Sequence, residues 1–272
     1  LKEFVINIKI GIVGGGFVGN ATRVNLSEVF LVKVFDTDQT KSDVSSLADL
    51  VRFSDIIFIC VPTPIDADES CNTAIVCKVA TDIIALNPAM LIVIKSSVPS
   101  GTTRSLGNKL NTNIAFNPEF LTEANAINDF KQHDIIIGVD SGQELLNTLR
   151  EIYYQFIDFF ELDIEIVEMM TKEAETVKYV SNTFLATKVI YANQVKQICE
   201  ADSIDYSKVA AALKRDHRLG RTHWNVPGPD GKRGYGGSCF PKDVAAYTHY
   251  ARKKGVEFSL LEEVSRINKN IR

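Results

Sequence analysis

Ile8-Lys9-Ile10-Gly11-Ile12-Val13-Gly14-Gly15-Gly16-Phe17-Val18-Gly19 decides the fold. An apolar run ends at Val13, a glycine-rich turn follows, and Val18–Ser27 then carries a helical pattern. Strand, GxGxxG turn and helix in that order make a dinucleotide-binding unit. Gly14 suits the tight turn, Gly16 lets a pyrophosphate approach the backbone, and Gly19 lets helix pack close to strand. Phe17 and Val18 complete the turn, and the helix start they form offers unpaired N–H groups to phosphate. Asp36 closes the next strand, where a carboxylate binds ribose hydroxyls and repels a 2′-phosphate. NAD is therefore the expected cofactor rather than NADP. Lys41 is a further contact for ribose or phosphate. A glycine-rich turn without a ligand is the bland alternative, and strand, motif and acid together argue against it.

Outward from this unit, short apolar runs keep alternating with amphipathic stretches. Strands are predicted at Ile8–Val13, Leu31–Phe35, Ile56–Cys60, Leu91–Lys95, Asn113–Phe116, Ile135–Val139 and Ile164–Val167. Helices are predicted between them at Val18–Ser27, Ala74–Leu86, Thr103–Leu110 and Gln143–Phe156. Such alternation reads as an α/β, doubly wound parallel sheet. The texture then changes. Thr171–Ala201 lacks Gly and Pro and carries Glu173 and Glu175 in its first turns. It reads as one helix of about 30 residues, against an average of ~11–12. Tyr206–Lys214, Asp243–Lys254 and Leu260–Ile271 are further helices, and Arg215–Gly234 is a long loop rich in Gly, Pro and Arg. Two domains are expected: a nucleotide-binding domain over 1–168 and a helical domain over 169–272.

The bulk composition excludes several classes. A net charge of −4, with 45% hydrophobic and 24% charged residues, gives no basic footprint for nucleic acid or anionic lipid. No apolar stretch has the length to span a bilayer, and the run Phe4–Val13 is broken by Asn7 and Lys9, unlike a signal peptide. Cys60, Cys71, Cys77, Cys199 and Cys239 form an odd set without metal-type spacing. A cytoplasmic, reducing location and no metal site are expected. The first residue is Leu1, so a natural start further upstream is expected.

Chemistry concentrates at strand ends and in one late segment. Cys60-Val61-Pro62-Thr63-Pro64 and Lys95-Ser96-Ser97-Val98-Pro99 each end a strand, and ligands of open parallel sheets sit at that edge. Thr63 and Ser97 are candidates to face cofactor or substrate, against the alternative of local turn chemistry. Asn117-Pro118-Glu119-Phe120-Leu121-Thr122-Glu123 follows another strand and offers two carboxylates. Glu119 is a candidate to hold a water or act as a base. Lys178 and Asn182 stand one turn apart on the long helix and share a face. Finally, Tyr235-Gly236-Gly237-Ser238-Cys239-Phe240-Pro241-Lys242-Asp243 sets a thiol just before a helix that Pro241 can open. The helix dipole and Lys242 favour a thiolate there. A hydride acceptor and a thiol in one chain suit oxidation past an aldehyde, because an aldehyde donates hydride only after a nucleophile adds to it.

As a set, the GxGxxG start, VPTP, KSSVP, NPEFLTE, the Lys-x3-Asn helix face and GYGGSCFPKD resemble the nucleotide-sugar 6-dehydrogenases of the UDP-glucose/GDP-mannose dehydrogenase family. The resemblance covers nearly the whole chain. It implies a Rossmann-type domain followed by a helical domain with a long dimerisation helix, and a homodimer. It implies two NAD-dependent oxidations of UDP-glucose at C6, with GDP-mannose or a UDP-N-acetylhexosamine as alternative substrates. A non-catalytic NAD-binding protein is the remaining alternative. In this resemblance Cys239 is the nucleophile, Lys178 and Asn182 support the oxyanion, and Asp243 and Glu119 handle protons and water, with Ser97 beside them. Glu123, Lys242, Thr63 and Ser97 join the cofactor contacts. Phe120, Leu121, Arg218, Tyr235 and Gly236 join the substrate contacts, Arg218 reaching across a dimer interface. Three departures stand out: Ser97 replaces a usual Thr, the segment Pro227–Lys232 is long, and the family's third, C-terminal domain is expected to be missing.

Overall fold

A computed structural model describes residues 8–272, so the Phe4–Asn7 part of the expected first apolar run lies outside the described residues. Two compact units divide the chain. One takes the chain up to Pro64 and then Asn72–Lys178, and the other takes Ile65–Cys71 and Tyr179–Arg272.

The first unit is built on a seven-stranded sheet: β1 (Lys9–Val13), β2 (Leu31–Phe35), β3 (Ile56–Ile59), β4 (Leu91–Ile94), β5 (Ile114–Phe116), β6 (Ile135–Gly138) and β7 (Ile166–Met169), in the order β2-β1-β3-β4-β5-β6-β7. Helices α1 (Phe17–Leu26), α2 (Leu47–Phe53), α3 (Ala74–Leu86), α4 (Thr102–Leu110), α5 (Ala126–Asp129) and α6 (Gln143–Phe160) connect the strands. The strands inside the sheet are buried on both faces because their apolar residues alternate between two cores. Ile10, Ile12 and Phe58 pack with Leu26 of α1 and with Leu149, Ile152 and Phe156 of α6. Ile57, Ile59, Ile92 and Ile94 pack on the other side with Leu50 of α2, with Val76, Ala80 and Ile83 of α3, and with Leu106 of α4.

The expected doubly wound parallel sheet is present, with one antiparallel joint. β1 to β5 are parallel, but β5 and β6 are antiparallel, joined at Phe116 and Gly138, and β6 then pairs parallel with β7. A parallel return needs a long crossover, usually helical. The β5–β6 connection has only the one-turn α5, and it is tied to the strand ends by Asn117, whose Nδ2 donates to the Ile136 carbonyl at 2.7 Å. β6 therefore starts beyond the carboxyl end of β5 and runs back.

The second unit is helical. α7 (Thr171–Ala201) begins in the first unit, and the division falls inside it, after Lys178. α8 (Tyr206–Leu213), α9 (Phe240–Lys253) and α10 (Ser259–Ile271) follow. The loop between α8 and α9 is held by apolar burial rather than by regular structure. Trp224 and Val226 are buried against Ala192 and Cys199 of α7 and Tyr206 of α8. The Trp224 indole donates to the Gly220 carbonyl at 3.0 Å, and the Tyr206 hydroxyl to the Trp224 carbonyl at 2.7 Å.

Candidate active site

The candidate residues fall in both units, and each group has its own geometry. In the first unit the strand order reverses direction at β1 and β3, and the ends of those two strands make the switch point where α/β sheets hold ligands. Gly14 stands there with φ +101°, and a Cβ on it would lie 2.6 Å from the Cys60 carbonyl oxygen. A Cβ on Gly19 would lie 1.8 Å from the Gly14 oxygen, so helix and turn meet too closely for any other residue. Gly16 differs: nothing lies within 4 Å of its would-be Cβ. It is exposed and caps α1, which leaves its backbone open to a phosphate.

Asp36 is tied to the same turn. Its Oδ2 accepts from the Gly15 N–H at 2.6 Å and its Oδ1 from the Asp38 N–H at 2.8 Å. The two nearby cations face other acids: Lys41 lies 3.4 Å from Asp38, and Arg23 lies 3.7 Å from Asp43. Gly15, Asn20, Arg23, Lys41 and Asp43 line one cleft, with Thr40 and Ser42. This open glycine turn at a helix N-terminus, with a carboxylate beside it, fits a dinucleotide of the NAD type. Among the other cofactor candidates Phe17, Val18 and Ser97 are half-buried, Thr63 is buried and Glu123 is exposed.

Glu119 and Lys178 come together in this unit. The Lys178 ammonium lies 2.9 Å from Glu119 Oε1 and donates to the Glu119 carbonyl at 2.6 Å. Both side chains are buried, and Glu119 Oε2 also accepts from the Leu121 N–H at 2.8 Å. Phe120 lies under the ammonium, its ring centroid 5.7 Å from Nζ.

Below this pair sits a buried polar group without an assigned role in the sequence. Lys95 directly follows β4 with 3% exposure, and its Nζ donates to Asn117 Oδ1 at 2.6 Å. The Tyr153 hydroxyl of α6 donates to the same oxygen. Burial pushes the Lys95 ammonium down to about 8, since its hydrogen bonds reach no carboxylate. Burial likewise pushes the Cys60 thiol up to about 12, with the Lys95 charge opposing the rise. The signal for this group was present in the sequence as a lysine closing the apolar run Leu91–Ile94.

In the second unit Cys239 is the residue just before α9, half-buried, with the Ser238 hydroxyl 3.7 Å from its sulfur. Phe240 and Pro241 open the helix, and the Asp243 N–H bonds back to the Cys239 carbonyl at 2.8 Å. The Asp243 carboxylate is fully buried between two donors: Asn182 Nδ2 reaches Oδ2 at 2.6 Å and Lys242 Nζ reaches Oδ1 at 2.5 Å. Tyr235 is buried, Gly236 is half-buried, and Arg218 is exposed with its guanidinium on Asp216 at 2.7 Å. Among the described residues there is no group of three His, Cys, Asp or Glu side chains able to hold a metal, and no helix long and apolar enough to cross a membrane.

Sheet order, glycine turn and thiol-bearing helix together define an NAD-binding α/β protein with a second, helical domain. The chain belongs to the UDP-glucose/GDP-mannose dehydrogenase family: residues 43–157 match its NAD binding domain and residues 172–270 its central domain. UDP-glucose 6-dehydrogenase YwqF of Bacillus subtilis (strain 168) is 32% identical over 97% of this chain and 66% of its own length. A UDP-glucose dehydrogenase from the hyperthermophilic archaeon Pyrobaculum islandicum superposes with a TM-score of 0.87 and 27% identity, covering 99% of this chain and 70% of that one. A GDP-mannose dehydrogenase from Pseudomonas aeruginosa superposes with a TM-score of 0.68 and 26% identity, covering 97% and 69%. The chain spans about half to two thirds of the length of the curated relatives it matches.

Proposed function

We propose that the protein oxidises a nucleotide sugar twice at C6, from alcohol to carboxylate, with UDP-glucose as the first substrate to test. GDP-mannose and UDP-N-acetylhexosamines are the alternatives within the family. The observation that carries this reading is Cys239 at the N-terminus of α9, one turn before a buried Asp243 that Asn182 and Lys242 both hold. NAD, when bound, takes up one hydride in each of the two oxidations. Gly14, Gly16, Phe17, Val18 and Gly19 receive its pyrophosphate and Asp36 its ribose, with Lys41, Thr63, Ser97, Glu123 and Lys242 as further contacts.

The residues carry the rest of the chemistry. The first oxidation turns the primary alcohol into an aldehyde and releases a proton. The Cys239 thiolate adds to the aldehyde carbon, and the resulting alkoxide takes a proton to give a thiohemiacetal. Loss of the second hydride together with the hydroxyl proton leaves a thioester, and water cleaves it to the acid and the restored thiol. Negative charge develops on the substrate oxygen at each addition, and Lys178 and Asn182 are the donors to that oxygen. One such donor is typically worth about 2.7–4 kcal/mol. Asp243 and Glu119 move the protons and orient the water, with Ser97 assisting. Phe120, Leu121, Tyr235 and Gly236 shape the sugar subsite, and Arg218 contributes from a second copy in a homodimer.

The test is stoichiometry. With the right nucleotide sugar the wild type should yield two NADH per sugar. Cys239→Ser should still bind NAD and form almost no acid, because a serine hydroxyl is a far weaker nucleophile near neutral pH. A Cys239→Ser enzyme that still gives two NADH per sugar at the wild-type rate would make the thiol structural and end this mechanism.

A further inference from the structure

The loop that leads to the thiol is fastened by side chains of α10. Asn268 is buried, with only 8% exposure, and its carboxamide makes two bonds to one residue. Its Oδ1 accepts from the Tyr235 N–H at 2.8 Å and its Nδ2 donates to the Tyr235 carbonyl at 3.1 Å. That is the pair of bonds a neighbouring antiparallel strand makes to a single residue. Asn193 of α7 accepts from the adjacent Gly234 N–H at 3.2 Å, its own Nδ2 being engaged by the Val189 carbonyl at 2.8 Å. Arg272 donates to the Arg233 carbonyl at 3.3 Å and pairs with Asp230.

The glycines of the loop answer to these contacts. A Cβ on Gly234 would lie 2.3 Å from Asn268 Oδ1, and one on Gly236 would lie 1.9 Å from Arg272 Nη2. Gly234 and Gly237 also have φ of +71° and +75°, where L-residues are strained. A loop with two such glycines has many conformations when untethered. The Tyr235 ring transmits the fastening forward, because it is buried edge-on to Phe240 at 6.3 Å and Phe240 follows Cys239 directly. Burial pushes the Tyr235 phenol up to about 12, with a hydrogen bond to Ser265 of α10 opposing the rise. Ser265, Asn268 and Arg272 recur at helical spacing, so one face of α10 and its C-terminal cap makes all of these contacts except that of Asn193.

We propose that Asn268, with Asn193 and Arg272, is a positioning residue that holds the Gly234–Ser238 loop so that the Cys239 sulfur stays at the N-terminus of α9. The proposal rests on the reading of Cys239 as the nucleophile. A thiolate gains from a helix N-terminus only within the first turn, so a loop that drifts loses the effect. Lys242 and Asp243 are the charged groups in the first turn of α9, paired with each other, and the test leaves both in place.

The experiment uses the full chain carrying Asn268→Ala or Arg272→Ala. Alkylation of Cys239 by iodoacetamide is followed against pH by mass spectrometry of its peptide, with NAD binding and thermal melting as controls of the fold. Asn268→Ala should move the midpoint of the alkylation profile up by about one pH unit, as loss of a helix-terminus effect on a thiol implies. Arg272→Ala, which removes only the contacts to Arg233 and Asp230, should move it in the same direction by less. For a competent sugar, Asn268→Ala should lower kcat by at least ~10-fold with KM changed by no more than ~2-fold, since misplacement of a reacting group acts on the chemical step. Wild-type alkylation midpoints in both variants, with NAD binding intact, would overturn the proposal. Absence of NADH from every nucleotide sugar in the wild type would instead remove the functional reading, and the alkylation comparison would still decide the role of Asn268.

Discussion

Lys95→Met tests whether the buried ammonium of the first unit is a strained charge. An exposed lysine titrates at 10.5, and burial pushes Lys95 down to about 8. A base with a lowered folded pKa opposes folding below that value. The penalty is fully present below pH 8, is relieved as pH rises from 8 to 10.5, and is absent above. At about 1.4 kcal/mol per unit, the full difference is about 3 kcal/mol. Methionine keeps the stem and removes the charge, and Asn117 Oδ1 keeps the Tyr153 hydroxyl as a donor. The wild type should therefore gain stability relative to Lys95→Met by about 1 kcal/mol between pH 8 and 9.

The choice of pH window and probe follows from the neighbours. Cys60 is raised from 9.0 to about 12, so its contribution to stability is lost as pH rises above 9, opposite in sign to Lys95. Tyr153 is also raised by burial and opposes above pH 10. Below pH 9 Lys95 acts without them. The protein has a single tryptophan, Trp224, and it lies in the second unit, so its fluorescence follows the wrong part of the chain. Cys60 is buried in the first unit, and its labelling by a thiol reagent across a urea series reports that unit directly. A wild-type minus variant difference that stays constant from pH 7 to 9 would refute the argument, because Lys95 would then titrate like an exposed lysine.

Two further outcomes test the cofactor side and the assembly. Asp36→Ala should weaken NAD binding and narrow its advantage over NADP in calorimetric titrations, while the melting temperature shifts little; equal affinity for both cofactors in the wild type would remove the ribose assignment. Phe184, Tyr191 and Ile198 recur every second turn of α7 with exposures of 65%, 59% and 62%, an apolar stripe that a second copy would cover. Phe184→Glu should convert a dimer to monomer in light scattering, and a wild type that is monomeric at micromolar concentration would remove both the dimer and the role of Arg218 across it.

The parts of the fold that depend on local pattern were legible in the sequence. Leu31–Phe35, Ala74–Leu86 and Thr171–Ala201 form over the residues their periodicity predicts. Strand ends moved by a residue or two, and the last strand moved from Ile164–Val167 to Ile166–Met169, because pairing of Ile135 with Ile166 sets its register. α2 is not legible by period, because its seven residues make only two turns; its one local signal is Ser46, whose hydroxyl accepts from the Asp49 N–H at 3.1 Å and donates to the Asp49 carboxylate at 2.7 Å. The reversal at β6 was not legible, since strand direction depends on where a connection is anchored and not on the strand's own residues. Local pattern placed Cys239 before a helix. It could not show that Asn268 holds the loop before it, because that contact joins distant segments.

The same distinction separates the two roles of α7. Lys178 and Asn182 follow one another by a turn on a regular helix, and each is held by an acid from elsewhere in its own unit: Lys178 by Glu119 after β5, Asn182 by Asp243 on α9. A buried ion pair such as Glu119–Lys178 adds little net stability, because desolvating both charges offsets most of their attraction. A stable fold alone would be served as well by two apolar side chains of similar volume. In the proposed mechanism the pair supplies a fixed ammonium with a defined partner, set for the charge that develops on the substrate oxygen. Removing Glu119 alone would leave that ammonium buried without its carboxylate, which is the costly state. In the proposed mechanism the carboxylate and the ammonium therefore act as one unit. A role argued for Lys178 in stabilising an oxyanion carries Glu119 with it as the group that fixes where the ammonium stands.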